Sequence, residues 1–220
     1  LNELFTKNAI VVMVGGSGLY VDAVVKGLDN FPKVPKDIRT QLSSECETSG
    51  LTALQKELQE KDPEYYSTAD IQNKHRVIRA LEIIRSTGKP FSSFLHKPKT
   101  KRNFETLYIG LTADRALVYE RINTRVDSMI EDGLLEEAKK LYKHKSLNAL
   151  QTVGYRELFT HFDGETSLDE AISEIKKNTR RFAKRQGTWF RKNENIHWFK
   201  HDVTPAKIIA FIEHKNANPN

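Results

Sequence analysis

The densest cluster of cationic side chains lies between Lys176 and Lys192, where eight residues are Lys or Arg and none is Asp or Glu. Apolar residues recur through this stretch at helical spacing, which predicts one helix with a buried face over residues 168–190. The predicted apolar stripe is Ile172, Ile175, Phe182 and Trp189. The basic flanks are Lys176, Arg180 and Lys184 on one side and Lys177, Arg181 and Arg185 on the other. Because like charges this close repel one another, the pattern favours an anionic partner. A merely solvated basic face is the alternative.

A glycine turn, VGGSGLY over Val14–Tyr20, is the second feature that could do chemistry. It follows an apolar run, Ala9–Val14, and precedes a helical pattern that ends near Gly27, so it predicts a strand–turn–helix unit of an α/β sheet. Backbone N–H groups in such a turn can approach an anion closely, and Ser17 adds a hydroxyl. Glycine turns are also common as purely structural features. The turn is not a Walker A loop, because GxxxxGK[ST] occurs nowhere in this sequence.

Two arginines and a histidine lie close together in the segment NKHRVIRALEI over residues 73–83. Val77, Ile78, Leu81 and Ile84 form its predicted buried stripe. His75, Arg76 and Arg79 lie near one another toward the other side of the helix, where they suit contacts to phosphates or base edges. The alternative is an ordinary surface ion pair between Arg79 and Glu82 or Glu45.

Two more arginines stand beside apolar or aromatic residues. Arg125 lies next to the apolar stripe of a predicted helix, which is typical of a snorkelling side chain or of an anion clamp that faces a cleft. Gly154-Tyr155-Arg156, at a predicted helix start, offers an aromatic face and a guanidinium that suit an unstacked base and its phosphate. A buried Tyr155 with a surface Arg156 is the alternative.

Composition narrows the class of protein. The 220 residues include 35 Lys or Arg and 29 Asp or Glu, a net charge of +6 that fits a phosphate-bearing partner. Cys46 is the only cysteine, which excludes an intrachain disulfide and a cysteine-based zinc site. No apolar run reaches the roughly 20 residues of a membrane span, and no signal-peptide pattern opens the sequence. These features predict a cytoplasmic protein.

The predicted elements describe an α/β core that an all-helical insertion interrupts, with the insertion at residues 28–103. Its helices are predicted at Asp37–Glu47, Thr52–Lys61, from Pro63, and at Ile71–Arg85, followed by a basic surface connection over residues 91–103. Predicted strands are Leu107–Leu111 and Ile196–Phe199, and predicted helices are 113–131, Leu134–Tyr142, Gln151–Phe159, 168–190 and Pro205–His214. Ala9–Val14 is predicted as a fully buried strand. Such a strand needs neighbours on both sides, so we expect a further segment upstream of Leu1.

The motifs occur in an order that resembles the tRNA dimethylallyltransferase family, from about Ile10 to Phe199. They are VGGSGLY, Asp37-Ile38-Arg39, HRVIRALEI with TGKPFSSF, RINTRVDSMIEDGLLEEA, QTVGYREL and TRRFAKRQGTWFR. The family transfers a dimethylallyl group from dimethylallyl diphosphate to N6 of the adenosine 3′-adjacent to the anticodon in certain tRNAs. The resemblance implies a P-loop NTPase-like parallel-sheet core at residues 1–27 and 104–220. It also implies that the helical insertion at residues 28–103 contacts the tRNA anticodon stem-loop.

The resemblance also implies roles for individual residues. Arg125 matches the arginine that holds the diphosphate, and Ser17 matches the Thr of the family's GGTG turn at the tRNA base; both are expected to be catalytic. The residues expected to bind tRNA are Ser17, Arg39, His75, Arg76, Val77, Ile78, Arg79, Gln151, Thr152, Val153, Gly154, Tyr155 and Arg156. Phosphate contact is expected from Arg181, Lys184 and Arg185. These types suit the reaction, because a departing diphosphate needs its charge neutralised and the target base must leave its stack.

This sequence departs from the family at its start. The family's P-loop, GPTxxGKT, and the general-base Asp of its DSxQxY segment are absent from these 220 residues. We therefore expect the chain as given to be inactive without them, and the Mg²⁺ that the family implies to have its ligands elsewhere. The expected partners are tRNA and dimethylallyl diphosphate, and the expected state is a monomer. The alternatives are an RNA-binding module or inactive remnant, and a small-molecule P-loop kinase, which would leave Arg39, Arg79 and Gly154–Arg156 without a role.

Overall fold

The computed structural model describes residues 1–95 and 102–217, which form two compact units. Among the described residues, one unit comprises 1–18 and 105–217, and the other comprises 19–95 and 102–104. The sequence-based division put the first boundary after residue 27, whereas most of the helix that follows the glycine turn belongs to the second unit. The predicted connection over residues 91–103 lies in part outside the described residues.

Helices make up most of both units, and nearly all of them start and end close to their predicted positions. In chain order the helices are α1 (Asn2–Phe5), α2 (Gly18–Val25), α3 (Lys36–Ser49), α4 (Leu51–Lys61), α5 (Pro63–Thr68), α6 (Lys74–Thr87), α7 (Arg115–Glu131), α8 (Leu134–Leu141), α9 (Tyr155–Phe162), α10 (Leu168–Phe190) and α11 (Pro205–Ala217). The strands are β1 (Tyr108–Thr112) and β2 (Ile196–Lys200), which pair in parallel with Tyr108 opposite Ile196. The described residues thus form a helix-rich α/β chain with a small parallel sheet.

The second unit is built around α6. This helix packs against α3 and α4, and every residue from Val77 to Ile84 except Arg79 is buried. The Asn73 side chain caps its first turn by accepting the His75 N–H at 3.1 Å, and Gly88 ends it in a left-handed conformation at φ 68°. The core of this unit contains Leu42, Leu54, Leu58, Val77, Ile78, Ala80, Leu81, Ile83, Ile84 and Phe91.

The first unit has its core where α7, α8, α9 and α10 meet. Its buried residues are Val126, Leu134, Ala138, Leu158, Phe159, Ala171 and Ile175. Ser167 and Glu170 form a capping box at the start of α10, which fixes the position of this long helix at its N-terminal end.

The prediction of a buried strand at Ala9–Val14 is wrong for this structure. The segment forms no strand, it pairs with neither β1 nor β2, and Val14 is 90% exposed. An apolar run becomes a buried strand only where other elements cover both of its faces, and in the described residues none covers this one. The apolar pattern therefore shows that these residues favour burial. It does not show whether another element is there to bury them.

Candidate functional site

The glycine turn packs closely against the C-terminal half of α10. The Gln186 side chain donates a hydrogen bond from Nε2 to the Gly16 carbonyl oxygen at 2.8 Å. A Cβ added at Gly18 would lie 2.1 Å from Trp189 Nε1, which is closer than any real contact allows. Between these two anchors Ser17 is exposed, and its hydroxyl has no hydrogen-bond partner in the described part of the chain. The turn thus holds a free hydroxyl on the surface beside the basic helix.

Replacing Gly18 by alanine is expected to push Trp189 off the turn, because the new methyl group and the indole cannot share the same space. Overpacking of this kind costs about 1–3 kcal/mol. The matched control is Gly15→Ala, since a Cβ at Gly15 meets nothing within 4 Å. Trp189 fluorescence, recorded with Trp198 replaced by Phe, should change for Gly18→Ala alone. The same spectral change in both variants would contradict this packing.

The basic residues of α10 divide between two environments, and the division differs from the predicted flanks. Lys176 forms an ion pair with Asp127 of α7 at 2.5 Å, and Arg180 donates to Asn123 of α7 at 2.7 Å. Lys184, in contrast, shares a surface with residues predicted to lie on the opposite flank. This surface, the α10 basic face, is lined by Arg181, Lys184, Arg185, Thr188, Trp189 and Lys192.

The α10 basic face combines positive charge with exposed aromatic rings. Within the described ranges, the side chains of Lys184, Arg185 and Lys192 have no carboxylate partner. Phe182 and Trp189 are about half exposed, so the prediction that they belong to a buried stripe is wrong. The core with α7, α8 and α9 includes Ile175 but not the next two turns of α10. Unpaired cations beside aromatic surface suit a polyanion with stacking bases.

Arg125 lies on the exposed side of α7. It lines an open depression with Leu117, Glu120, Arg121 and Thr124, and Ser17 is not part of that lining. In the part of the chain that the structure describes, the Arg125 guanidinium has no ion pair or hydrogen bond. Its five N–H donors are therefore free to bind an anion.

A buried carboxylate links the turn before α9 to α10. Glu157, 7% exposed, accepts hydrogen bonds from the Gly154 N–H at 2.8 Å, Asn178 Nδ2 at 2.8 Å and Arg156 Nη2 at 3.1 Å. Burial alone would raise the pKa of Glu157, but the hydrogen bonds from Gly154, Asn178 and Arg156 outweigh it and hold the pKa below its ordinary value. Asn178 in turn accepts from Arg181 at 3.2 Å. The network therefore runs from the turn to the α10 basic face.

In the turn over residues 151–156, some side chains pack against the protein and others are exposed to solvent. Tyr155 is half-buried, stacks on Phe159 and donates its hydroxyl hydrogen to Glu137, a bond that raises the Tyr155 pKa. Its ring is therefore packed against Phe159, and its expected contact with tRNA stays a prediction. Val153 packs against the core, whereas Gln151, Thr152 and Arg156 are exposed.

In the second unit two arginines meet at one buried carboxylate. Both Arg39 and Arg79 bond to Glu82, which is only 2% exposed. The pairing of Arg79 with Glu82 is the alternative considered from the sequence, except that the carboxylate is buried rather than at the surface. His75 and Arg76 are exposed at the start of α6. Val77 and Ile78 are core residues whose side chains are buried, and their expected contact with tRNA stays a prediction.

No cluster of three or more His, Cys, Asp or Glu side chains suited to a metal ion occurs in residues 1–95 and 102–217. The Mg²⁺ that the resemblance implies, with ligands outside these 220 residues, stays a prediction. No helix in the same ranges is both long and apolar enough to cross a membrane.

The fold and these surfaces define a helix-rich α/β protein whose unpaired arginines and lysines suit a nucleic-acid or phosphate ligand. A sequence model of the IPP transferase family matches residues 1–193. The chain belongs to the IPP transferase family. It is 60% identical over 215 residues to the tRNA dimethylallyltransferase of Christiangramia forsetii, a match that covers 98% of this chain and 71% of the relative. The family predicted from the motifs is confirmed.

Solved structures agree with this assignment. A tRNA isopentenylpyrophosphate transferase from Bacillus halodurans is 39% identical with a TM-score of 0.54, over 91% of this chain and 63% of that one. A eukaryotic dimethylallyltransferase acting on tRNA has a TM-score of 0.69 at 24% identity, over 92% of this chain and 56% of that one, and supports the fold alone. The chain thus spans between about half and three quarters of the lengths of these relatives.

Proposed function

We propose that this protein transfers a dimethylallyl group from dimethylallyl diphosphate to N6 of the adenosine 3′-adjacent to the anticodon of certain tRNAs. The observation that carries the proposal is the 60% identity, over 98% of this chain, to a protein named tRNA dimethylallyltransferase. The exposed basic groups of both units support it, because a tRNA ligand brings many phosphates.

The reaction forms a bond between N6 and C1 of the dimethylallyl group. The bond from C1 to the diphosphate oxygen breaks, and its electron pair leaves with the diphosphate. N6 loses its proton to a general base, which the resemblance places in the DSxQxY segment absent from these 220 residues. Arg125 is proposed to stabilise the charge on the departing diphosphate, since its guanidinium is exposed and unpaired in the described structure. The exposed hydroxyl of Ser17 is proposed to bond the target base.

The tRNA contacts are proposed to use exposed donors of both units. In the second unit these are Arg39, His75, Arg76 and Arg79, which the resemblance assigns to the anticodon stem-loop. In the first unit they are Gln151, Thr152, Arg156 and the α10 basic face. We also propose a P-loop NTPase-like fold for the core, which the parallel pairing of β1 and β2 supports. A monomeric state and a cytoplasmic location stay predictions.

The direct test is a transfer assay. The protein as the cell makes it is incubated with isotopically labelled dimethylallyl diphosphate and unmodified tRNA, and the tRNA is digested to nucleosides for mass spectrometry. Label on N6 of the adenosine beside the anticodon is the expected result. Tight tRNA binding without label would favour an RNA-binding module, and phosphate transfer from ATP to a small molecule would favour a kinase.

Replacing Arg79 by alanine is expected to weaken tRNA binding and to reduce the salt dependence of log K by about one unit, the value for one lost phosphate contact. Binding is measured by fluorescence titration over a range of salt concentrations. Lys61→Ala is the control, because Lys61 is a surface cation that pairs with Glu57 outside the proposed interface. An unchanged slope for Arg79→Ala would remove Arg79 from the interface.

A further inference from the structure

The Glu82 carboxylate binds two arginines that reach it from different helices. Arg39 on α3 approaches through Nε and Nη2, with Nη2 at 3.3 Å from Oε2, and Arg79 on α6 donates from Nη1 to Oε2 at 3.0 Å. Glu82 itself is inaccessible to solvent, whereas the side chains of Arg39 and Arg79 are 64% and 40% exposed. The Arg79 guanidinium also lies 5.5 Å from the centre of the Phe31 ring. The buried Glu82 carboxylate thus fixes each guanidinium, and each guanidinium retains N–H donors that are exposed to solvent.

The charge balance of this cluster is unusual for a structural ion pair. One buried acid and two arginines leave a net charge of +1 at the surface. The same unit contains the opposite arrangement, in which Arg85, 21% exposed, binds Glu45 at 2.7 Å and Glu57 at 2.5 Å. Counting Lys61, which pairs with Glu57 at 2.9 Å, that cluster has no net charge, and Arg85 on α6 joins Glu45 on α3 to Glu57 on α4. The Arg85 cluster is an internal tie, whereas the Glu82 cluster presents surplus positive charge.

We infer that Glu82 is a positioning residue for tRNA binding, which holds Arg39 and Arg79 in the orientation that meets the phosphates. This inference rests on the proposed function. A free arginine side chain loses much rotational freedom when it binds a phosphate, and a guanidinium already fixed on a carboxylate loses less. Glu82 therefore favours tRNA binding although its own charge repels phosphate.

The direction in which Glu82→Gln changes tRNA affinity distinguishes a positioning role from a purely electrostatic one. Glu82→Gln removes a negative charge, so electrostatics alone predicts tighter binding and an unchanged or steeper salt dependence. Positioning predicts the reverse, because both arginines lose their anchor. We expect tRNA affinity to fall by about tenfold and the salt slope to decrease by between about one and two units, as for one or two lost phosphate contacts. In the transfer assay the KM for tRNA should rise with little change in kcat.

The matched control is Glu57→Gln, which removes the same charge from a carboxylate that holds Arg85 in the same unit. This variant should bind tRNA as well as the parent or slightly better. Thermal unfolding of both variants measures folding separately from binding. If Glu82→Gln fails to fold, Glu82→Asp keeps the charge while it withdraws the carboxylate from the arginines, and it too should weaken binding.

A triple variant separates the failure of this inference from the failure of the proposed function. Arg39→Ala with Arg79→Ala should weaken tRNA binding, and adding Glu82→Gln to that pair should weaken it no further. If the double alanine variant weakens binding but Glu82→Gln alone does not, the positioning role is wrong and the interface stands. If the double alanine variant binds tRNA like the parent, the interface and the positioning role are both wrong.

Discussion

Replacing Arg125 by alanine is expected to slow dimethylallyl transfer by about 10²–10³-fold, while tRNA affinity stays within a few-fold of the parent. Loss of one preorganised group that stabilises developing charge has an effect of this size in other enzymes. Arg125 is suited to such a role because its guanidinium is exposed and has no ion pair in the described structure. Its loss should leave folding unchanged for the same reason.

The measurement pairs two assays on the protein as the cell makes it. Single-turnover transfer with saturating tRNA reports the chemical step, and a direct titration reports tRNA affinity. Arg121→Ala is the control, because Arg121 lines the same depression on α7 and is also exposed. Arg121→Ala should retain transfer within a few-fold. Equal losses of tRNA affinity and transfer rate for Arg125→Ala would show that Arg125 binds tRNA rather than the diphosphate.

Local patterns in the sequence predicted the elements well. α10 occupies Leu168–Phe190 as predicted, and α6 ends at Thr87 because Gly88 adopts a left-handed conformation there. Helical periodicity and glycine C-caps depend only on residues a few positions apart. A single sequence therefore contains nearly all of the information that places these helices. The same holds for β1 and β2, whose short apolar runs are flanked by polar residues.

The sequence did not predict which element packs against each apolar face, because that depends on residues far away along the chain. Phe182 and Trp189 continue the spacing of Ile175, yet the core of the first unit does not extend to them. Ala9–Val14 has the composition of a buried strand but meets no strand among the described residues. Tyr155 packs on Phe159 and bonds to Glu137, and its spacing in the sequence predicted neither partner. Periodicity identifies a face and does not identify its neighbour.

Two of the buried carboxylates, Glu157 and Glu82, were not singled out from the sequence, although it contained a signal for each. Glu157 stands three residues after Gly154, the spacing of a capping box, and Gly154 has no side chain to complete that box. Glu82 stands three residues after Arg79, which suggested an ordinary surface pair. Its burial and its second partner, Arg39, come from the packing of α3 against α6 over 43 residues of separation.

Replacing Glu157 by glutamine is expected to lower the free energy of unfolding at pH 7 by about 1–3 kcal/mol, the usual range for buried hydrogen bonds to a charged group. The hydrogen bonds from Gly154 and Asn178 favour the ionised form of Glu157 and hold its pKa below the ordinary value of 4.5. The stability that this group contributes is therefore present above pH 4.5 and is lost as the pH falls through the lowered pKa. The difference between parent and variant should accordingly shrink in acid.

Urea denaturation of both proteins at several pH values between about 7 and 3 measures this difference. Glu170→Gln is the control, since Glu170 also accepts a backbone N–H at a helix start but is exposed to solvent. Its substitution should shift the midpoint much less, because exposed charge interactions are screened by water. Because Glu157 joins the Gly154 turn to Asn178 on α10, Glu157→Gln should also weaken tRNA binding at pH 7. A stability difference that stays constant from pH 7 to pH 3 would mean that the ionised carboxylate does not hold the turn to the basic helix.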